Sequence, residues 1–249
     1  MNNEQQQWEL PESIRALLPH LDELRRRLMV AVIALALGAA LAFLVAPRLL
    51  EFLTVPIGGL DELQAIELTE PISVYMRVSL MAGAIFAMPI IVYEIMAFVV
   101  PGLMPNEKRG LFLALPFIFL SFLAGAAFAY WVMLPTAVPF LATFGGIQGN
   151  FRISSYISFT TRMILWVGVA FEMPLIIAVL ARLGIVTPQA LRSGWRIAVV
   201  VIAILASVIT PTVDPVNMLI VMLPLLSLYL LSIVLATWMY RKRAAGGEQ

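Results

Sequence analysis

Apolar residues run along this chain in six long stretches, separated by short segments that hold nearly all of its charge. They cover roughly 28–46, 76–100, 111–134, 156–181, 197–210 and 216–239. At 1.5 Å per residue, about 20 residues are needed to cross a hydrocarbon core of about 30 Å. The pattern therefore predicts an all-α integral membrane protein of six transmembrane helices. Alternating strands of the membrane-barrel type are absent, and lipid admits only helices or closed barrels. The fifth stretch stands apart. Between Arg196 and Pro211 lie 14 residues (197–210), about 21 Å of helix, so the bilayer should thin or headgroups dip beside it. The alternative is that Arg196 snorkels and the span is longer.

The interruptions are as informative as the spans. Residues 1–27 form a polar N-terminal segment, whose first 19 residues, with Pro11 and Pro19, read as a loose surface helix. The stretch 47–70 mixes apolar and polar residues and should cap one face as short helices. Pro135, Pro139, Gly145, Gly146 and Gly149 predict that the third span breaks before a loop over 135–155. A Pro-rich turn, ITPTVDPVNM, leads into the last span, and 240–249 is a short tail. No internal repeat is visible, so 1–249 reads as a single polytopic domain, unlike the repeated halves of many transporters. The first span is too long and too far along the chain for a cleaved signal peptide.

Composition strengthens this picture. Hydrophobic residues make up 61% of the chain, charged ones 12%, and the mean hydropathy is +0.96, which excludes a soluble domain. Lys and Arg set the orientation. Arg15, Arg25, Arg26, Arg27, Lys108, Arg109, Arg182, Arg192, Arg196, Arg241, Lys242 and Arg243 share one side; only Arg48, Arg77, Arg152 and Arg162 fall on or toward the other. Both termini are expected in the cytoplasm, in the cell (inner) membrane. The first outer loop is acidic instead, with Glu51, Asp61, Glu62, Glu67 and Glu70.

Little catalytic chemistry is available. There is no cysteine and a single histidine, His20, so thiolate chemistry and multi-histidine metal sites are excluded. His20 precedes the first span, and no pair of intramembrane aspartates exists, which excludes serine and aspartyl intramembrane hydrolysis. No phosphate-binding glycine loop is present. The chain is expected to be no enzyme, with no cofactor, no metal and no nucleic-acid partner.

Three carboxylates remain. Glu172 lies about ten residues from either end of its apolar run, where a charge costs roughly 2.5–3.5 kcal/mol on insertion scales. It would be a hydrogen-bonding site for a partner helix, a structural contact to Thr160, Thr161 or another span, or the proton site of a proton-coupled small-solute transporter. Glu23 in HLDELRRRL and Glu107 in AFVVPGLMPNEKRG bring acids to the cytoplasmic surface. Such a pair suits guanidinium ligands, each carboxylate accepting two parallel N–H bonds. The competing reading has them paired with neighbouring Arg26, Arg27, Lys108 or Arg109.

In order and between six spans, HLDELRRRL, AFVVPGLMPNEKR, VGVAFEMPLIIAVLARLGIVTP and TPTVDPVNM resemble the TatC family over about residues 20–240. That family is the signal-receptor subunit of the twin-arginine protein translocase. The resemblance implies binding of twin-arginine signal peptides on folded cargo, with single-span partners TatA and TatB and several receptor copies. It also implies energisation by the proton motive force. It assigns Glu23 and Glu107 to the signal arginines, Arg25 and Phe98 to the same face, and Pro56 and Pro89 to the outer loop and second span. Glu172 matches the family's intramembrane polar position, and Asp214 the turn before the last span. TatA and TatB would dock along the fifth and sixth spans. This sequence departs from the family's pattern at several positions. Glu94 replaces a usual glutamine and is either neutral through burial or a supplement to arginine capture. Leu230 stands where many members have glutamate, Arg152 where an acid is common, and TPTVDP is a residue longer than the usual turn.

Overall fold

The computed structural model describes residues 12–99, 105–143, 151–210 and 215–246. Its first element, α1 (Glu12–Thr54), is one uninterrupted helix of 43 residues. Two 3-10 turns (Val55–Ile57, Leu60–Glu62) and the short strand β1 (Leu63–Gln64) lead to α2 (Glu70–Val99). Then α3 (Pro105–Phe128), a π-helical turn (Ala129–Met133) and α4 (Leu134–Thr143) form one continuous rod. Strand β2 (Phe151–Arg152) precedes α5 (Ile153–Phe171) and α6 (Met173–Leu183). The last elements are α7 (Pro188–Ser193), α8 (Trp195–Ile209) and α9 (Pro215–Gly246). Among the described residues five segments are long and apolar enough to cross a membrane: Leu21–Ile57, Glu70–Ile95, Leu115–Thr143, Ile153–Arg182 and Met218–Tyr240. The apolar α8 is shorter, at 15 residues, about 22 Å.

Four expectations change. Residues 12–19 are the first turns of α1 rather than a separate surface helix; residues 1–11 lie outside the described part. The third span does not break at its prolines but runs helically through Pro135 and Pro139 to Thr143. Each proline lacks an N–H, yet the Thr136 hydroxyl lies at the carbonyls of Val132 (2.9 Å) and Met133 (2.8 Å). Threonine hydroxyls and π adjustments are how lipid-embedded helices tolerate proline. The fourth span is not one helix: it breaks at Glu172, because Pro174 removes the N–H that would continue the ladder to Ala170. The serine hydroxyl of Ser121, from α3, donates to the Phe171 carbonyl at this break (2.8 Å). Finally, β1 and β2 form a two-stranded parallel pair, Leu63 opposite Phe151 and Gln64 opposite Arg152.

Glycine sets the helix spacing at two crossings. A Cβ on Gly83 of α2 would lie 2.4 Å from the backbone nitrogen of Ala39 in α1, and one on Gly38 would lie 2.8 Å from the Gly83 carbonyl. A Cβ on Gly168 of α5 would strike the Phe122 ring of α3 at 2.7 Å. In lipid, apolar side chains gain nothing by leaving solvent, so close backbone approach and dispersion hold helices together. The core gathers Leu50, Leu53, Val78, Met133, Ile157 and Met163 around the start of α2 and the middle of α5. Outward faces carry exposed Leu, Ile, Val and Trp throughout, the reverse of a water-facing surface.

Candidate functional site

Acidic groups occupy three levels of the molecule: one end of the helices, their middle and the other end. At the first end, Glu23 lies on α1, four residues before Arg27, so the two share a helix face. The Arg27 Nε donates to Glu23 Oε1 (3.1 Å) and its Nη2 donates to the same oxygen. The remaining arm reaches across to α2, where Nη1 donates to Glu94 Oε2 (3.2 Å). The three side chains are 33%, 23% and 15% exposed for Glu23, Arg27 and Glu94. A single guanidinium thus joins carboxylates from two helices in a partly water-excluded setting. Glu94 thus accepts from a cationic partner supplied by α1.

The other residues assigned to this end are placed in varying detail. Arg25 is exposed, and Phe98 is half-buried one turn beyond Glu94 on α2. Glu107 falls in the first turn of α3, with its side chain outside the described residues. Asp214, expected instead in the outer turn before the last span, lies outside the described residues altogether.

At mid-height Glu172 occupies the break between α5 and α6, and is 4% exposed. Neither carboxyl oxygen has a hydrogen-bond partner. The expected contact to Thr160 or Thr161 is not made. Eleven or twelve residues of helix separate them, roughly 17 Å along the axis, and the Thr161 hydroxyl donates instead to the Ile157 carbonyl (2.6 Å). Gly168, one turn before Glu172 on the same face, admits Phe122 of α3 closely. The carboxyl is therefore buried among apolar groups, the costly state for a polar group.

The far end is built around Glu70 and Arg152, and sequence reasoning did not single it out. Glu70 is 2% exposed. It accepts from Arg152 Nε, from the Ser154 hydroxyl (2.8 Å) and from the Ile66 backbone N–H (2.8 Å). Arg152 also pairs with Glu67 through Nη2 (2.6 Å). Hydrogen bonds donated to Glu70 and Glu67 hold the Arg152 pKa above its ordinary value. The cluster fastens the segment after α1 to the start of α5, beside the β1–β2 pair. The signal for it was present: an acid-rich first loop and a lone arginine in the second.

The end of α1 is closed off at the same level. A helix leaves its last four carbonyls without intrahelical donors, and here each finds one. Thr54 Oγ1 donates to Glu51 (2.9 Å), Tyr130 to Phe52 (2.7 Å), Tyr156 to Leu53 (2.8 Å) and the Gly59 N–H to Thr54 (3.0 Å). The Tyr130 ring also stacks on Phe52 with centroids 4.2 Å apart, and it is the π-helical turn that carries Tyr130. Pro56 sits half-buried in the 3-10 turn that follows, whereas Pro89 is exposed within α2.

Comparison with known proteins fixes the family. The family model for Sec-independent protein translocase protein (TatC) matches residues 19–224. The TatC protein of Deinococcus radiodurans is 41% identical over 232 residues, covering 88% of this chain and 85% of its own. That of Aquifex aeolicus is 36% identical over 234 residues, covering 91% and 97%. A crystal structure described as the twin-arginine translocase receptor TatC superposes with a TM-score of 0.80 at 34% identity, over 88% of this chain and 99% of that one. The same receptor in the detergent DDM gives 0.80 at 35% identity, over 87% and 99%. On this breadth of agreement the chain belongs to the TatC family, membrane components of a Sec-independent protein translocase and not enzymes.

Proposed function

We propose that the chain is the signal-receptor subunit of a twin-arginine translocase, a single polytopic domain of six spans in the inner membrane with both termini in the cytoplasm. The fifth span is α8, short enough to require local thinning. The Glu23 end faces the cytoplasm, and the segment joining α1 to α2 caps the opposite face. Twin-arginine signal peptides of folded cargo bind at Glu23 and Glu107, flanked by Arg25 and Phe98, with Glu94 adding a third acceptor. The observation that carries this reading is the seating of one guanidinium between Glu23 and Glu94, the chemistry a signal arginine requires. Burial of the signal's apolar segment adds affinity, about 25 cal/mol per Å² removed from water.

TatA- and TatB-type helices dock along α8 and α9, and several copies of the receptor share one complex driven by the proton motive force. Glu172, buried with both oxygens unpartnered, is a waiting acceptor or donor for a polar side chain on such a helix. Family membership favours this role over a proton-coupled solute carrier built on Glu172.

The test is peptide binding by the purified chain in detergent or nanodiscs. Glu23→Gln or Glu107→Gln should each weaken a twin-arginine peptide by about 1.5–3 kcal/mol, the worth of a hydrogen bond to a charged group. A twin-lysine peptide should bind the unmodified chain as poorly, since lysine lacks the fork. Unchanged crosslinking of the arginine peptide to the folded double variant would overturn the assignment.

A further inference from the structure

The arrangement at the Glu23 end is more specific than an acidic surface awaiting a basic ligand. Arg27 presents three N–H groups to it: Nε and Nη2 to Glu23 Oε1 and Nη1 to Glu94 Oε2. Glu23 reaches Arg27 within one turn of α1, whereas Glu94 lies 67 residues on, in α2. Among the described residues Arg25 and Arg26, which precede it in the same basic run, form no ion pair and are exposed. Of the three consecutive arginines only Arg27 is turned inward and held by carboxylates from two helices.

An incoming guanidinium would need the same oxygens. Glu23 Oε1 already accepts two N–H groups from Arg27, which uses both of its lone pairs, so a ligand fork that takes both oxygens of Glu23 displaces Arg27. We propose that Arg27 is an internal stand-in for a signal arginine: it fills the Glu23–Glu94 clamp when no signal is bound and must swing out before a ligand guanidinium seats. The inference rests on the receptor reading given above.

The consequence is a built-in competitor. Because it is tethered one turn from Glu23, its local concentration is high and independent of the signal. The ligand's apparent affinity falls by the fraction of time the clamp is open. Weak or partial matches then fail to displace it, while a signal with two arginines and an apolar segment succeeds.

The competitor model separates cleanly from two plainer roles. If Arg27 only orients Glu23, its removal weakens binding. If it only repels basic peptides through its charge, Arg27→Gln tightens binding but Arg27→Lys does not. As a stand-in it loses its fork in both variants. The experiment measures a twin-arginine peptide on the full chain in nanodiscs by fluorescence anisotropy, with elution volume and melting temperature confirming that each variant is folded. Arg27→Gln should tighten binding by about two- to fivefold and Arg27→Lys by about twofold, the range expected for releasing a partly exposed ion pair. Tightening in the glutamine variant alone, or in neither variant, overturns the stand-in while leaving the receptor reading in place. A folded chain that binds no twin-arginine peptide, with or without Arg27, overturns both.

Discussion

Glu172 and Glu70 are both almost fully buried carboxylates, and their surroundings assign them opposite work. Glu70 is saturated by an arginine, a serine and a backbone N–H; among the described residues no side chain or backbone group makes a hydrogen bond of normal geometry to the Glu172 carboxyl. Removing Glu70 should therefore damage the fold, and Glu70→Ala should lower the melting temperature in detergent clearly more than Glu67→Ala. Glu67 is 61% exposed, and exposed ion pairs contribute little; equal effects in a thermal melt would contradict this. Removing Glu172 should instead spare the isolated chain. Glu172→Ala should keep its melting temperature and signal binding but recruit partner helices poorly, losing a bond worth about 0.6–2 kcal/mol in membranes. Glu172→Gln, which still donates and accepts, should retain most recruitment. Crosslinking from position 172 to partner helices, with and without signal peptide, measures it. Glu172 could be singled out from the sequence because one carboxylate in an apolar run is conspicuous. Glu70 was not, because the acid-rich first loop and the lone Arg152 of the second are visible separately, whereas their pairing across 82 residues is marked in neither.

At the level of the helix, legibility followed the strength of local punctuation. The limits of α8 were readable to within two residues, because Arg196 and Pro211 bound a purely apolar run. The break at Glu172 was missed, although Pro174 stands two residues on, since hydropathy alone reads straight through a kink. The opposite error occurred at Pro135 and Pro139, where a π-helical turn leads into the prolines, the Thr136 hydroxyl donates to the Val132 and Met133 carbonyls, and the rod stays helical. Those remedies depend on a side chain's rotamer, which a propensity argument does not contain. The short α8 also yields a prediction. Inserting four leucines after Val201 gives about 28 Å of helix, enough to relieve mismatch. Export should fall while signal binding persists; normal export from that variant would remove thinning from the mechanism.

Across the whole molecule, α1 links the clamp around Glu23 to the sealed carbonyls beside Tyr130 and Tyr156. Tyr156→Phe should leave the Leu53 carbonyl buried without its donor, a loss of about 1–3 kcal/mol readable as a lower melting temperature. The two ends of α1 are held very differently. From Glu23 to Leu53 the helix spans thirty residues, about 45 Å. Its far end is gripped by two tyrosines and a glycine turn, and Gly38 meets Gly83 partway along. Its near end is held by one guanidinium that bridges to α2. Mechanically this is a pendulum hung from the Arg152 side, with its bob at the proposed signal clamp. Any swing caused by exchanging one arginine for another must be widest at Glu23 and vanish near Leu53. Paired spin labels on α1 and α2 should accordingly show distance changes on peptide binding that shrink steadily from the first to the last turns of the rod.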